Sequence, residues 1–175
     1  MAHFEKYHPL LSAHYQLDWL TLFRLKDVHA LRADAVQAAL SGREVDTSIE
    51  ATARYVNRSM QLVMGDQALL YGIGDRTTGA FLGSICLWNF NEAKTTAQLR
   101  FEALATTPAA VMAEVLPRVA GFAFFELGLQ SLFVVVPQEA AAARALLAAN
   151  HFTAAAADRL VLTAASVAAD PAFQF

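Results

Sequence analysis

Residues 78–91 read TGAFLGSICLWNFN, and this stretch decides the fold. Asp75–Gly79, which overlaps the start of this stretch, is rich in turn-forming residues and predicts a hairpin turn. One strand is predicted before the turn, over Gln67–Ile73, and a second after it, over Ala80–Phe90. A third follows a polar break, from Thr96 to Leu104. The centre of the chain is therefore predicted to be a three-stranded meander.

Towards the N-terminus, the pattern predicts one strand and two helices. Tyr15–Leu25 alternates apolar and polar residues, which is typical of a half-buried strand. Lys26–Leu40 carries apolar residues at helical spacing. Thr47, followed by Glu50 three residues later, forms a capping box that opens a helix ending at Gly65.

Towards the C-terminus, the pattern alternates helices and strands. Thr107 as N-cap and Pro108 at the first helical position open a helix, which Gly128 ends. Pro117 lies inside this helix, where it removes a backbone hydrogen bond and predicts a kink. The remaining predicted elements are a strand buried on both faces (Leu132–Val136), a helix (Gln138–Ala149) and two short strands joined by a turn at Asp158-Arg159.

Composition indicates a packed domain. The chain has 175 residues, of which 56% are hydrophobic and 17% charged, and disorder needs the opposite balance. A net charge of -3 gives no electrostatic reason to expect nucleic acid as a partner. The single cysteine, Cys86, excludes an internal disulfide and a cysteine zinc cluster. The twelve Phe residues suit a large core, an apolar ligand cleft or a homodimer face, and composition does not separate these.

The predicted location is the cytoplasm, with no membrane partner. Met1–Leu11 lacks the apolar segment of a secretory signal. The longest apolar runs are far shorter than the ~20 residues that a membrane helix needs. We predict an N-terminal extension over residues 1–14, a single domain over residues 15–168 and a tail over residues 169–175.

Three stretches resemble the GNAT N-acyltransferases, and in particular the branch that acetylates the N-termini of ribosomal proteins. They are Leu20–Leu31, Thr78–Asn91 and Ala123–Leu129, and the similarity extends over about Tyr15 to Leu162. The resemblance implies an α/β (α+β) fold. In that fold a mixed, mostly antiparallel twisted sheet of about seven strands is flanked by about four helices.

The resemblance also implies acetyl transfer from acetyl-CoA to a primary amine, on a protein N-terminus or a small molecule. In the family, backbone N–H groups of one splayed strand hold the thioester carbonyl and the pantetheine arm, and the start of the next helix holds the pyrophosphate. The implied cofactor-binding residues are Phe101, Ala103, Leu104, Ala109, Ala110 and Val111. Glu102, on the same strand, is the candidate general base, and the alternative is a solvated strand glutamate.

The sequence departs from the family in its cofactor motif. The pyrophosphate loop, usually Q/R-x-x-G-x-G/A, falls on residues 105–110. Ala105 replaces the polar residue and Pro108 the first glycine, whereas Ala110 conforms. A later Asn and Ser of the family fall within residues 139–143, which hold only Glu and Ala. Two functions therefore stay open: an N-acetyltransferase, and a GNAT-shaped binding or interaction domain without catalysis.

Several other polar and aromatic residues have both a functional and a structural interpretation. Gln98 matches a position that relatives often fill with Glu, and His151 is a proton shuttle or a packing residue. Trp88 and Phe90 line an acceptor pocket or belong to the core. His29 is predicted to be structural, and Cys86 to be a small buried hydrophobe. No metal is predicted, because the spacing of the N-terminal histidines His3, His8 and His14 fits no metal motif.

Overall fold

The computed structural model describes residues 3–174, and within them eight strands form one sheet. The strands are β1 (Leu10–Leu11), β2 (Tyr15–Trp19), β3 (Leu69–Asp75), β4 (Phe81–Trp88), β5 (Thr96–Ala103), β6 (Ser131–Val135), β7 (Thr153–Ala156) and β8 (Arg159–Thr163). Their order across the sheet is β1-β2-β3-β4-β5-β6-β8-β7. β5 and β6 run parallel, whereas β1 to β4 pair antiparallel in succession, as do β6 with β8 and β8 with β7. The predicted mixed, mostly antiparallel sheet is confirmed.

Six α-helices accompany the sheet in the described part of the chain. They are α1 (Leu25–Arg32), α2 (Ala35–Ser41), α3 (Ile49–Met64), α4 (Ala109–Phe125), α5 (Ala141–Ala149) and α6 (Ala164–Ala169). Short 3₁₀-helices cover Phe4–Lys6, Leu20–Leu22 and Pro171–Phe173. Among residues 3–174, no helix has the length and apolar character needed to cross a bilayer.

The backbone contacts divide the chain into two compact units. Among the described residues, the first unit comprises residues 3–88 and 100–108, and the second comprises residues 89–99 and 109–174. β5 contributes its first half to the second unit and its second half to the first.

The first predicted strand is shorter than its sequence pattern. β2 ends at Trp19, and a 3₁₀ turn then leads into α1, so the prediction of a strand up to Leu25 is wrong. Phe23, which the pattern placed in this strand, instead packs its ring on β3 where glycines leave room. A Cβ atom on Gly72 would lie 2.5 Å from the Phe23 Cε2 atom, and one on Gly74 would lie 3.0 Å from its Cε1 atom.

The predicted helix over Lys26–Leu40 is two helices. Asp34 separates α1 from α2, and its Oδ1 atom accepts hydrogen bonds from the N–H groups of Val36 (2.8 Å) and Gln37 (3.1 Å). An aspartate that caps a new helix competes with continuation of the old one. Gly42 ends α2 with a φ of 66°.

The cap of α3 lies one residue later than predicted. Ser48 is the N-cap, and its Oγ atom accepts a hydrogen bond from the Ala51 N–H group at 3.1 Å. The capping box of Thr47 and Glu50 is therefore wrong. Adjacent Thr and Ser offer the same hydroxyl, so sequence alone did not separate the two registers.

Two expectations for the C-terminal half also need correction. Thr107 directs its hydroxyl to the Leu82 carbonyl (2.7 Å), and α4 begins at Ala109, so Pro108 directly precedes the helix.

In β6, Leu132 and Val134 are buried but Val135 is 45% exposed. That strand therefore buries one face rather than two. The turn between β7 and β8 covers Ala157 and Asp158, one residue before the predicted Asp158-Arg159, and Arg159 begins β8.

Candidate functional site

The strand predicted to bind the thioester, Gln98–Leu104, is most of β5 and the residue that follows it. The parallel register of β5 with β6 covers Thr96 to Gln98, and β5 continues to Ala103. Beyond that register, the Ala103 N–H group donates to the Oε1 atom of Gln37 at 3.0 Å. The Leu104 N–H group donates to the Leu82 carbonyl at 3.0 Å. Two of the predicted cofactor-binding amides thus have acceptors within the first unit.

Gln37 is a residue that the sequence did not indicate. It lies on α2 and reaches an amide 66 positions later in the chain. To use the Ala103 amide, a cofactor must displace the Gln37 side chain. Phe101 is half-buried on the same strand, and the cofactor contacts of these residues stay predictions.

The other predicted cofactor contacts lie at the start of α4 in the second unit. Ala109 and Ala110 are exposed, whereas Val111 is buried. The first N–H groups of a helix have no intrahelical acceptor, so this end has the donors that an anion needs. A pyrophosphate contact at this end stays a prediction.

Glu102 is buried in an ion pair and is not the solvated glutamate of the alternative interpretation. Its side chain is 4% exposed. Its Oε1 atom accepts from Nη2 of Arg43 at 2.6 Å, and its Oε2 atom accepts from Nε at 3.0 Å. Arg43 also donates to the carbonyls of Leu31 and Arg32. Its burial and the two-point contact with Arg43 leave the carboxylate little room to reach a substrate, which favours a structural role.

A second, partly buried network lies beside this pair. Arg32 donates to both carboxylate oxygens of Asp46, at 3.0 and 3.2 Å. Thr52 donates its hydroxyl to Asp46 and accepts from Nδ1 of His29 at 2.8 Å. Burial alone would raise the pKa of Asp46, but the hydrogen bonds from Arg32 and Thr52 outweigh it, so that pKa is lowered. His29 thus connects α1 with α3, as its predicted structural role requires.

A third group surrounds Arg100, another residue that the sequence analysis missed. Its guanidinium carbon lies 5.2 Å from the ring centroid of Trp88. Cys86 and Tyr55 lie close enough to Arg100 to interact with its charge. Burial raises the pKa of the Cys86 thiol and of the Tyr55 phenol. Cys86 is 6% exposed, which agrees with a buried hydrophobe.

The remaining candidates lie in the second unit. His151 is exposed, has a φ of 68°, and places Nε2 2.8 Å from Oδ2 of Asp170. Gln98 accepts a hydrogen bond from the Asn89 side chain at 3.4 Å. Phe90 carries the Lys94 ammonium 5.2 Å from its ring centroid. None of these contacts assigns a chemical role.

Two further observations concern ligands. No group of three His, Cys, Asp or Glu residues in the part of the chain that is described has the geometry to hold a metal.

A recess of about 310 Å³ opens in the first unit between the 3₁₀ turn after β2 and α3. Its lining residues are Leu20, Thr21, Phe23, Leu25, Ala53, Val56 and Asn57. The recess is mainly apolar and offers a surface for an aliphatic group.

Known proteins match this chain in structure rather than in sequence. No protein-family model matches the sequence, and a search of curated proteins found no significant match. An acetyltransferase of the GNAT family from Bacillus anthracis superposes with a TM-score of 0.75 at 11% identity, covering 90% of this chain and 99% of its own.

Two further structures contain coenzyme A. Spermidine N-acetyltransferase from Vibrio cholerae, in complex with CoA and spermine, has a TM-score of 0.76 at 15% identity and covers 88% of this chain and 98% of its own. RimL, a ribosomal alpha-N-protein acetyltransferase in complex with coenzyme A, has a TM-score of 0.73 at 15% identity. The superposition covers 89% of this chain and 96% of RimL. This chain therefore has the fold of the GNAT acetyltransferases, with ribosomal-protein acetyltransferases among its structural neighbours.

Proposed function

We propose that the chain is an N-acetyltransferase that moves an acetyl group from acetyl-CoA to a primary amine. The observation that carries the proposal is the superposition over nearly the whole chain on transferases that hold coenzyme A. In this reaction the amine nitrogen forms a bond to the acetyl carbon, the carbon–sulfur bond breaks, and the amine's proton passes to the departing thiolate. Correct placement and a polarised carbonyl supply much of the rate.

Two segments of this chain would bind acetyl-CoA. The second half of β5 would hold the thioester through Phe101, Ala103 and Leu104, once Gln37 has left the Ala103 amide. The first turn of α4 would hold the pyrophosphate through the N–H groups of Ala109 and Ala110. Much of this grip is backbone, so it tolerates the loss of the polar side chain at Ala105, whereas Pro108 removes one backbone N–H donor from the loop.

Acetyl-CoA binding tests the proposal, and a pair of glutamate substitutions locates the site. Ala110→Glu places a carboxylate at the start of α4, where it suits the helix dipole but repels a pyrophosphate. Ala113→Glu introduces the same charge on the same helix at another exposed position. Calorimetry is expected to give micromolar binding for wild type, binding at least tenfold weaker for Ala110→Glu, and a smaller loss for Ala113→Glu.

The second candidate is a GNAT-shaped binding domain without catalysis. The engaged amides of Ala103 and Leu104, and the ion-paired carboxylate of Glu102, favour it. Undetectable or millimolar acetyl-CoA binding by wild type would select this second candidate. Equal weakening by both glutamate variants would place the pyrophosphate away from the start of α4.

A further inference from the structure

We propose that Arg100 binds a carboxylate of the acceptor, so that the acceptor is an amine that also carries a carboxylate. The inference rests on the proposed acetyl transfer and deepens it, because it names the class of acceptor. It concerns one cluster of the first unit, formed by Arg100, Trp88, Cys86 and Tyr55 and called here the Arg100 cluster.

The charges around the cluster do not balance. Three arginines and two carboxylates meet in this part of the first unit. Arg32 pairs with Asp46 at 3.0 Å, and Arg43 pairs with Glu102 at 2.6 Å. Both oxygens of Glu102 already accept from Arg43. Among residues 3–174, no carboxylate lies within ion-pair distance of Arg100, so one positive charge is left over.

The immediate neighbours of Arg100 do not neutralise it. Cys86 and Tyr55 are the acidic groups beside it, and burial raises the pKa of both. At neutral pH the thiol and the phenol are therefore uncharged. Glu102 contributes attraction from two residues along the strand, but it is shared with Arg43. A half-buried guanidinium without a full counter-ion favours an external anion.

A second, independent observation points to the same ligand. The indole Nε1 of Trp88 is buried and has no hydrogen-bond acceptor within the described residues. Arg100 lies over this same ring, 5.2 Å from its centroid. The cluster thus offers two kinds of donor and lacks an acceptor. A carboxylate brings one negative charge and two acceptor oxygens, and so it can bind the guanidinium and also accept from the indole once the Trp88 ring turns to expose its Nε1 atom.

The position of Arg100 limits the size of the acceptor. Arg100 directly precedes Phe101, the first residue of the stretch predicted to hold the thioester. The stretch ends near Ala103, about 10 Å along the strand at ~3.3 Å per residue. We therefore expect a small acceptor, in which the carboxylate lies close to the reacting amine. An amino acid meets this condition, and so does a peptide with an acidic side chain close to its N-terminus.

The first experiment measures the binding of matched probes in the absence of acetyl-CoA. The small-molecule arm compares β-alanine with β-alanine amide, and the peptide arm compares the amides of Glu-Ala-Ala and Gln-Ala-Ala. Calorimetry gives the affinities. Trp19 also fluoresces, so the part of the fluorescence change that is lost in Trp88→Phe reports on the site. Wild type is expected to bind the carboxylate probe at least tenfold more tightly in at least one arm. The arm that shows the preference identifies the source, and no preference in either arm overturns the inference.

Variants then assign the preference to the Arg100 cluster. Arg100→Gln is expected to abolish it, Arg100→Lys to retain part of it, and Trp88→Phe to weaken it while keeping an aromatic ring. Arg58→Gln changes the same charge at an exposed position on α3 and should keep the full preference. Circular dichroism checks that each variant folds. The assignment to Arg100 is overturned if Arg100→Gln keeps the full preference for the carboxylate probe. It is also overturned if Arg58→Gln loses that preference.

Failure of this inference is distinguishable from failure of the proposed function. Acetyl-CoA affinity is measured separately on wild type and on Arg100→Gln, and we expect both to bind equally. Acetyl-CoA binding without any carboxylate preference overturns the inference and leaves the transferase intact. A carboxylate preference without acetyl-CoA binding supports an anion site at Arg100, and overturns acetyl transfer together with the identification of that anion as an acceptor.

Discussion

At the scale of single residues, Glu102 shows how a candidate base can be part of the framework. Its carboxylate and the Arg43 guanidinium are 4% and 9% exposed and form a two-point contact. We predict that Glu102→Gln lowers the free energy of unfolding by about 3–5 kcal/mol, because it leaves Arg43 buried without a counter-ion. Urea denaturation measures the loss. The double variant Glu102→Gln with Arg43→Gln should lose less than the two single losses combined.

The same variant separates the two interpretations of Glu102. If Glu102→Gln keeps wild-type stability while acetyl transfer falls by two orders of magnitude or more, the glutamate acts as a base rather than as a structural partner. Sequence alone did not make this distinction. It placed Glu102 on the correct strand, but its partner Arg43 lies 59 positions earlier and in no recognisable motif.

Asp46 carries a prediction about pH. Its folded-state pKa is lowered, since hydrogen bonds from Arg32 and Thr52 outweigh burial. A lowered pKa stabilises the fold above the unfolded-state value, about 3.9, and the contribution is lost as pH falls through the folded value. Unfolding free energies measured between pH 6 and about pH 2 should therefore fall less steeply for Asp46→Asn than for wild type.

An exposed aspartate supplies the control for this pH measurement. Asp158→Asn makes the same change in the turn between β7 and β8 and should follow the wild-type slope. Identical acid slopes for Asp46→Asn and wild type would show that the Arg32–Asp46 pair does not contribute to acid stability.

At the scale of elements, β4 and β5 approach each other closely at Gly83. A Cβ atom there would collide with the Glu102 carbonyl oxygen and lie 2.9 Å from the Ala103 Cα atom. Both obstacles are backbone, so neither can rotate away. We predict that Gly83→Ala destabilises the fold by about 1–3 kcal/mol and weakens any ligand contact of β5 as well. Thermal unfolding and acetyl-CoA calorimetry measure the two effects.

Gly65 provides the comparison for this substitution. A Cβ atom on Gly65 would lie 3.2 Å from the Gln61 carbonyl, where a shift of a few tenths of an ångström relieves the contact. Gly65→Ala should therefore cost less than Gly83→Ala. If the two variants are equally stable, the close approach of β4 and β5 is not a constraint on the fold.

The element scale also shows which parts of the fold were predictable. Alternation and turn residues placed β3, β4 and β5 within two residues of their observed bounds, because hairpin patterns are local. The Tyr15–Leu25 pattern continued past the real end of β2, since alternation does not reveal that Phe23 packs on glycines of another strand. For the same reason sequence could not show Gln37 on the Ala103 amide: the contact is made by the tertiary fold.

At the scale of the whole molecule, the N-terminal extension predicted over residues 1–14 takes part in the sheet. Leu10–Leu11 forms β1, with Leu10 paired to Leu17 of β2. Phe4 is 2% exposed, and its N–H group donates to Asp66 at 2.7 Å. The Tyr71 hydroxyl donates to the Tyr7 carbonyl at 2.6 Å. A domain boundary at residue 15 stays a prediction, and these contacts argue for an earlier one.

Removal of residues 1–14 therefore provides a test of where the folding unit begins. The loss of Phe4 and Leu10 uncovers the surface they bury, and Tyr71 and Asp66 each lose a partner. We expect the truncated chain to be less stable by at least the 3–5 kcal/mol that a single buried Phe contributes, as measured by urea denaturation. Leu10→Ala should cost about 2–5 kcal/mol and Leu11→Ala much less, because their exposures are 6% and 42%. A truncated chain with the wild-type midpoint would instead place the boundary at residue 15, since β1 would then add strand pairing without adding stability.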